Sequence, residues 1–187
     1  LLFRFRIEGS SNIPKGGTII APNHVSYWDP PLVGASVSGY EVYFMAKREL
    51  FRFPIFGMVL KMIHTFPVDR EKLDIAAFRK ALRVLNGGKT LVVFPEGGRG
   101  KGGRLKPPQP GVAWLAHKTK FPVVPTLVVN THRIKNFPRV TVRFGSPIYF
   151  GKGETEENEK SRYHDFACKV MEGIIKLDRE RQYQFEI

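Results

Sequence analysis

TLVVFPEGGRG, Thr90–Gly100, decides the fold. Its opening residues are apolar or β-branched without a break, the pattern of a strand buried on both faces. A glycine-rich basic loop follows it directly. Upstream, Asp69 to Asn86 sets Leu73, Ala76, Ala77, Leu82 and Leu85 at helical spacing and closes on Gly87–Gly88, so we read an amphipathic helix with a glycine stop. Downstream, PGVAWLAHKT reads as a helix with Pro110 near its start. VVPTLVV and VTVRFG then read as strands, and Ser161 to Arg181 as a final amphipathic helix. Nearer the start, LFRFRIEG alternates apolar and polar residues as an edge strand does. GTIIAPN and EVYFMAK are further strands, and HTFPVDR is extended because Pro67 biases Phe66 away from helix. Strands separated by helices imply an α/β layer architecture. We expect one domain over residues 1–187, with a mixed, mostly parallel sheet flanked by helices.

Composition narrows the function classes. A chain of 187 residues, 42% hydrophobic and 25% charged, is large enough for a core and is neither disordered nor fibrous. Its single cysteine, Cys168, excludes a disulfide framework and a thiolate zinc cluster, and fits a reducing compartment. We read Cys168 as a core thiol. His64, His117, His132 and His164 show no metal-ligand spacing. The formal charge is +13, and residues 1–153 hold 24 of the 30 Lys and Arg but 8 of the 17 Asp and Glu. Such a field attracts nucleic acid, anionic lipid or phosphorylated small molecules. No run of 18 apolar residues occurs, so none of these residues forms a membrane-spanning helix by hydropathy. LFRFPIFGMVLKMIHTF, Leu50–Phe66, comes nearest. It fits either a buried core helix or a face lying in a membrane interface, with Arg52 and Lys61 near headgroups.

The stretch APNHVSYWDP, Ala21–Pro30, carries His24 and Asp29 between prolines. On a straight helix, residues five apart sit about 140° from each other, so the two side chains meet only if the backbone turns. One reading makes Asp29 the N-cap of a helix starting at Pro30, with His24 an ordinary loop residue. The other makes His24 a general base oriented by Asp29, suited to deprotonating a hydroxyl for attack on an acyl group. GASVSG, Gly34–Gly39, does not match the G-x-S-x-G nucleophile pattern, which leaves the substrate as a source of the hydroxyl.

Cations stand after several strands: Lys47 after EVYFMA, Arg70 after HTFPVD, and Arg99 with Lys101 and Arg104 in the glycine loop. Open α/β sheets bind ligands at the strands' carboxyl ends, and glycines let backbone N–H groups approach a phosphate. GGKT, Gly87–Thr90, is not a nucleotide-binding loop, because Arg83 stands where that motif needs glycine. Glu96 would repel a phosphate, so we expect it to hold a substrate hydroxyl or brace an arginine.

Together these residues resemble a family. NHVSYWD matches the N-H-x4-D motif of the glycerolipid acyltransferases, and FPEGGRG resembles their F-P-E-G-T-R-S block. TFPVDR and VVPTLVV resemble two further blocks, all in order between about Ala21 and Val129. The compact length most resembles the 1-acylglycerol-3-phosphate acyltransferases. The resemblance implies that His24 activates the acceptor hydroxyl, that Asp29 orients it, and that Arg70, Arg99 and Lys47 bind the acceptor phosphate. It makes Glu96 and Gly97 part of the acceptor site and Pro125 a wall near the acyl chain. It implies direct attack on an acyl-CoA or acyl carrier protein thioester, with lysophosphatidic acid as acceptor. It implies no metal, no cofactor beyond that co-substrate and no nucleic-acid partner. A site on the cytoplasmic face of an anionic membrane follows, with an N-terminal anchor expected before residue 1. Gly98 and Gly100 depart from the block, replacing its threonine and serine. The same chemistry on glycerol 3-phosphate or another lysophospholipid is the alternative. A non-catalytic basic module binding membrane or nucleic acid is the reading from another class.

Overall fold

The computed structural model describes residues 4–69, 74–100, 104–151 and 159–179. Seven strands are joined in one sheet: β1 (Arg4–Glu8), β2 (Thr18–Pro22), β3 (Val42–Lys47), β4 (Thr65–Val68), β5 (Thr90–Val92), β6 (Val123–Val129) and β7 (Arg139–Phe144). Their spatial order is β1-β7-β6-β2-β5-β3-β4. The five strands from β6 to β4 run parallel, β7 pairs antiparallel with β6, and β1 pairs parallel with β7. The expected mixed, mostly parallel sheet is therefore present, and β1 lies at an edge, as expected for that stretch.

Among the described residues, four α-helices connect strands, α1 (Asp29–Ser36), α2 (Pro54–Met62), α3 (Ile75–Asn86) and α4 (Gly111–Thr119), and α5 (Glu159–Lys176) follows β7. Because successive strand residues point to opposite faces, Ile19, Leu91 and Leu127 join α3, α4 and α5 in one core. Their neighbours Ile20, Val92 and Val128 meet Val33 of α1 and Val37 at its end on the other face. Full burial of each such side chain contributes about 1.5–3 kcal/mol. The continuous apolar runs are thus the signature of strands covered on both sides.

Three local readings change. The helix read from Asp69 begins at Ile75, because the Asp74 carboxylate accepts the Ala77 N–H at 3.0 Å as an N-cap. It also accepts the Asp69 N–H and an Arg48 guanidinium N–H, at 3.0 and 2.7 Å. These backbone donors, ahead of Arg48, hold the Asp74 carboxyl below its ordinary range. Cys168 is half-buried on the flank of α5, with Sγ 3.5 Å from His164 Nε2, rather than in the core. The helix within Leu50–Phe66 buries only Gly57 and Leu60, so the core-helix reading fails there. Gly57 sits where a Cβ would come 2.9 Å from the Phe51 carbonyl oxygen, which is how α2 approaches the preceding turn so closely.

Candidate active site

The site forms where β2 and β5 end side by side. Asn23 extends β2 by one clamp: its Oδ1 accepts the Val128 N–H at 2.7 Å and its Nδ2 donates to the Val128 carbonyl at 3.2 Å. The chain then turns sharply through residues 24–28 into α1. His24 Nδ1 lies 3.0 Å from Asp29 Oδ2. The same oxygen accepts the N–H groups of Val25 and Ser26, both at 2.7 Å. Thr131, just after β6, donates its hydroxyl to the other carboxylate oxygen at 2.5 Å.

Asp29 is therefore not the N-cap. Trp28 holds that position without a side-chain bond, and Pro30 and Pro31 occupy the first turn. Its carboxylate instead reaches back and closes the turn that presents His24. A fully buried carboxylate is tolerated because four donors surround it. With Nδ1 donating to Asp29, the imidazole keeps Nε2 as its lone-pair nitrogen. Phe94 stacks on the ring with centroids 4.1 Å apart, fixing its plane.

Glu96 braces the same residue from the other side. Its Oε1 accepts the His24 N–H at 2.6 Å and its Oε2 accepts the Lys106 N–H at 2.8 Å. Each oxygen accepts one backbone N–H and keeps a further lone pair. Burial, opposed by those two N–H donors and reinforced by the Asp29 charge, pushes the Glu96 carboxyl up to about 7. Gly97 takes the left-handed conformation, φ +65°, with Gln109 against its α-carbon, a position that favours glycine. Gly100 donates its N–H to the His24 carbonyl at 2.8 Å. A Cβ there would collide with the Arg104 carbonyl, so this loop has no room for the serine its block usually carries.

The other predicted residues are more scattered. Arg99 is exposed and stacks on Tyr27, its guanidinium carbon 3.5 Å from the ring centroid. Lys47 ends β3 with Nζ 3.5 Å from Glu49. Arg70 lies outside the described residues, as does Lys101. Pro125 is buried in β6, where it faces Gly173 of α5 so closely that a Cβ on that glycine would come within 2.7 Å. That is a packing contact, away from the cleft.

A cleft of about 380 Å³ adjoins the dyad through Phe94 and Glu96. Met45, Val68, Phe78, Val112 and Leu115 give it an apolar lining, and Asp69, Glu96, Lys106 and Gln109 supply its polar part. Thr131 and Lys106 were not among the residues singled out from the sequence. Thr131 is 102 residues from its partner, and no local pattern marks a lone threonine after a strand.

A family model described as Acyltransferase matches residues 4–129. The chain belongs to the acyltransferase family. The chain is 32% identical over 121 residues to the 1-acyl-sn-glycerol-3-phosphate acyltransferase of Bacillus subtilis, covering 64% of this chain and 60% of that protein. It is 31% identical over 166 residues to the enzyme of that name from Streptococcus pneumoniae, covering 87% of this chain and 60% of that one. The crystal structure of the 1-acyl-sn-glycerophosphate acyltransferase PlsC from Thermotoga maritima superposes with a TM-score of 0.68 at 28% identity. That match covers 92% of this chain and 73% of the other. The chain thus spans about three-fifths of the length of these two curated relatives.

Proposed function

We propose that this chain transfers a fatty acyl group from an acyl-CoA or acyl carrier protein thioester to the sn-2 hydroxyl of 1-acylglycerol 3-phosphate, giving phosphatidic acid. The observation that carries the reading is the 3.0 Å bond between His24 Nδ1 and a fully buried Asp29 carboxylate. It leaves His24 Nε2 to take the proton of the acceptor hydroxyl as the oxygen attacks the thioester carbonyl. The resulting imidazolium is stabilised by Asp29. Collapse of the tetrahedral intermediate breaks the carbon–sulfur bond, and the Nε2 proton passes to the departing thiolate. No acyl-enzyme is formed, and the only co-substrate is the thioester.

Relatives named for 1-acyl-sn-glycerol-3-phosphate support the choice of acceptor. The apolar cleft beside Phe94 and Glu96 supports an acyl chain as one occupant. Arg99, Arg70 and Lys47 are the cations we assign to the acceptor phosphate. A lipid acceptor and a formal charge of +13 support work at the cytoplasmic face of an anionic membrane.

The test mixes the protein with palmitoyl-CoA and 1-acylglycerol 3-phosphate, follows thiol release and identifies the lipid product. Wild type yields phosphatidic acid, and His24→Ala lowers turnover by about 10²–10⁴-fold. Thiol release only with acyl carrier protein would change the donor. Reaction only with glycerol 3-phosphate would change the acceptor. No product from either donor with a panel of lyso-acceptors overturns the catalytic reading.

A further inference from the structure

Helix α2 is amphipathic in the inverted sense. At about 100° per residue, its buried residues Gly57 and Leu60 fall on one side. Ile55, Val59, Met62 and Met58 fall on the opposite side, and that side faces solvent. Their exposures are 82%, 47%, 74% and 63%. Phe53 and Ile63 extend the patch beyond both ends of the helix, at 65% and 45%. A surface helix of a soluble protein turns its apolar stripe inward; here the outward stripe is the apolar one. A contiguous exposed patch of this kind marks a binding surface.

The charges select the occupant. From residue 50 to residue 68 the chain holds Arg52 and Lys61 and no Asp or Glu. Neither cation forms an ion pair among the described residues. Two copies of the chain packed through this face would bring those cations together with nothing acidic between them. An anionic bilayer answers both features, accepting the apolar stripe into its acyl boundary and the cations at its headgroups. The location agrees as well. α2 connects β3 to β4, and these strands supply Met45 and Val68 to the cleft.

We propose that the exposed face of α2, with Ile55, Met58, Val59 and Met62 at its centre, docks into an anionic phospholipid surface beside the mouth of the cleft. The inference rests on the membrane reading given above, and does not depend on the role of His24.

The experiment is co-flotation with vesicles of phosphatidylcholine alone or mixed equally with phosphatidylglycerol. Wild type floats with the mixed vesicles. Ile55→Asp combined with Met62→Asp lowers that binding about tenfold or more, and Tyr149→Asp, at an exposed aromatic elsewhere, leaves it at the wild-type level. Arg52→Ser with Lys61→Ser lowers the preference for phosphatidylglycerol about tenfold or more. Thermal unfolding of each variant checks the fold, and Val59→Asn, a milder change, should lower binding in the same direction. Wild type and the Ile55/Met62 variant floating equally overturns this face while the membrane reading stands. Wild type that binds neither vesicle overturns both. Wild type that binds neither but sediments as a dimer dissociated by the same substitutions assigns the face to a second copy and overturns the lipid.

Discussion

Asp29 and Glu96 are both buried carboxylates, and both hold His24, yet their surroundings differ. Asp29 receives four donors, including the ring N–H of His24 and the Thr131 hydroxyl. Glu96 receives two backbone N–H groups, and its carboxyl is pushed up to about 7 by burial. Donor number and geometry decide whether a buried carboxylate can carry charge. The carboxylate with more donors meets the ring, where a positive charge would develop. The other meets the backbone, where it sets position.

The sharpest way to break the comparison is Asp29→Asn. The amide keeps the shape but turns a donor toward N–H groups, and it no longer enforces the tautomer that frees Nε2. We expect turnover to fall by about 10²–10⁴-fold, measured under saturating substrate. A change under twofold would remove Asp29 from the reaction.

Thr131→Val comes next. It takes one donor from the Asp29 carboxylate and costs about 1–3 kcal/mol of stability. Turnover should fall about tenfold, with Thr131→Ser restoring most of it. If the serine variant is as impaired as the valine, the hydroxyl is not the operative group.

Glu96→Gln tests the other carboxylate through pH. Its folded value, about 7, lies above the ordinary 4.5, so between them the folded state binds the extra proton. This contribution to stability is full below pH 4.5 and is lost as pH rises through 7. The slope is at most about 1.4 kcal/mol per pH unit. Melting curves from pH 5 to 8 should show wild type losing stability relative to Glu96→Gln as pH rises. Parallel pH dependences would count against a raised Glu96.

The smallest effect belongs to the periphery of both carboxylates. Arg99→Ala should raise the Michaelis constant for the phosphorylated acceptor about three- to tenfold, as expected for one partly exposed charge contact, and that for the acyl donor less. Equal weakening toward both substrates would remove its phosphate assignment.

Much of the fold was legible because it is written in short runs. TLVV and VVPTLVV are apolar or β-branched at every position, which is what a strand covered on both faces requires, and no distant information is needed to see it. The helix start at Asp74 was misplaced by several residues because Asp69 and Asp74 are both good caps by composition, and only the Ala77 N–H distinguishes them. His24 and Asp29 stood out as a pair because a five-residue turn is local. Thr131 did not, since its partner is 102 residues away. Glu96 is marked in the sequence by its charge, but its bonds to the His24 and Lys106 N–H groups are not, because backbone groups carry no residue identity.

The sequence by itself determined the alternation of strands and helices, the basic balance and the His24–Asp29 spacing, all properties of neighbouring residues. The tertiary structure decided which face of α2 stays outside, how Asp29 is solvated once water is excluded, and where Glu96 spends its oxygens. The physical reason is common to all three. Burial and donor supply depend on which distant segments close over a residue, and those contacts exist only after the sheet has formed.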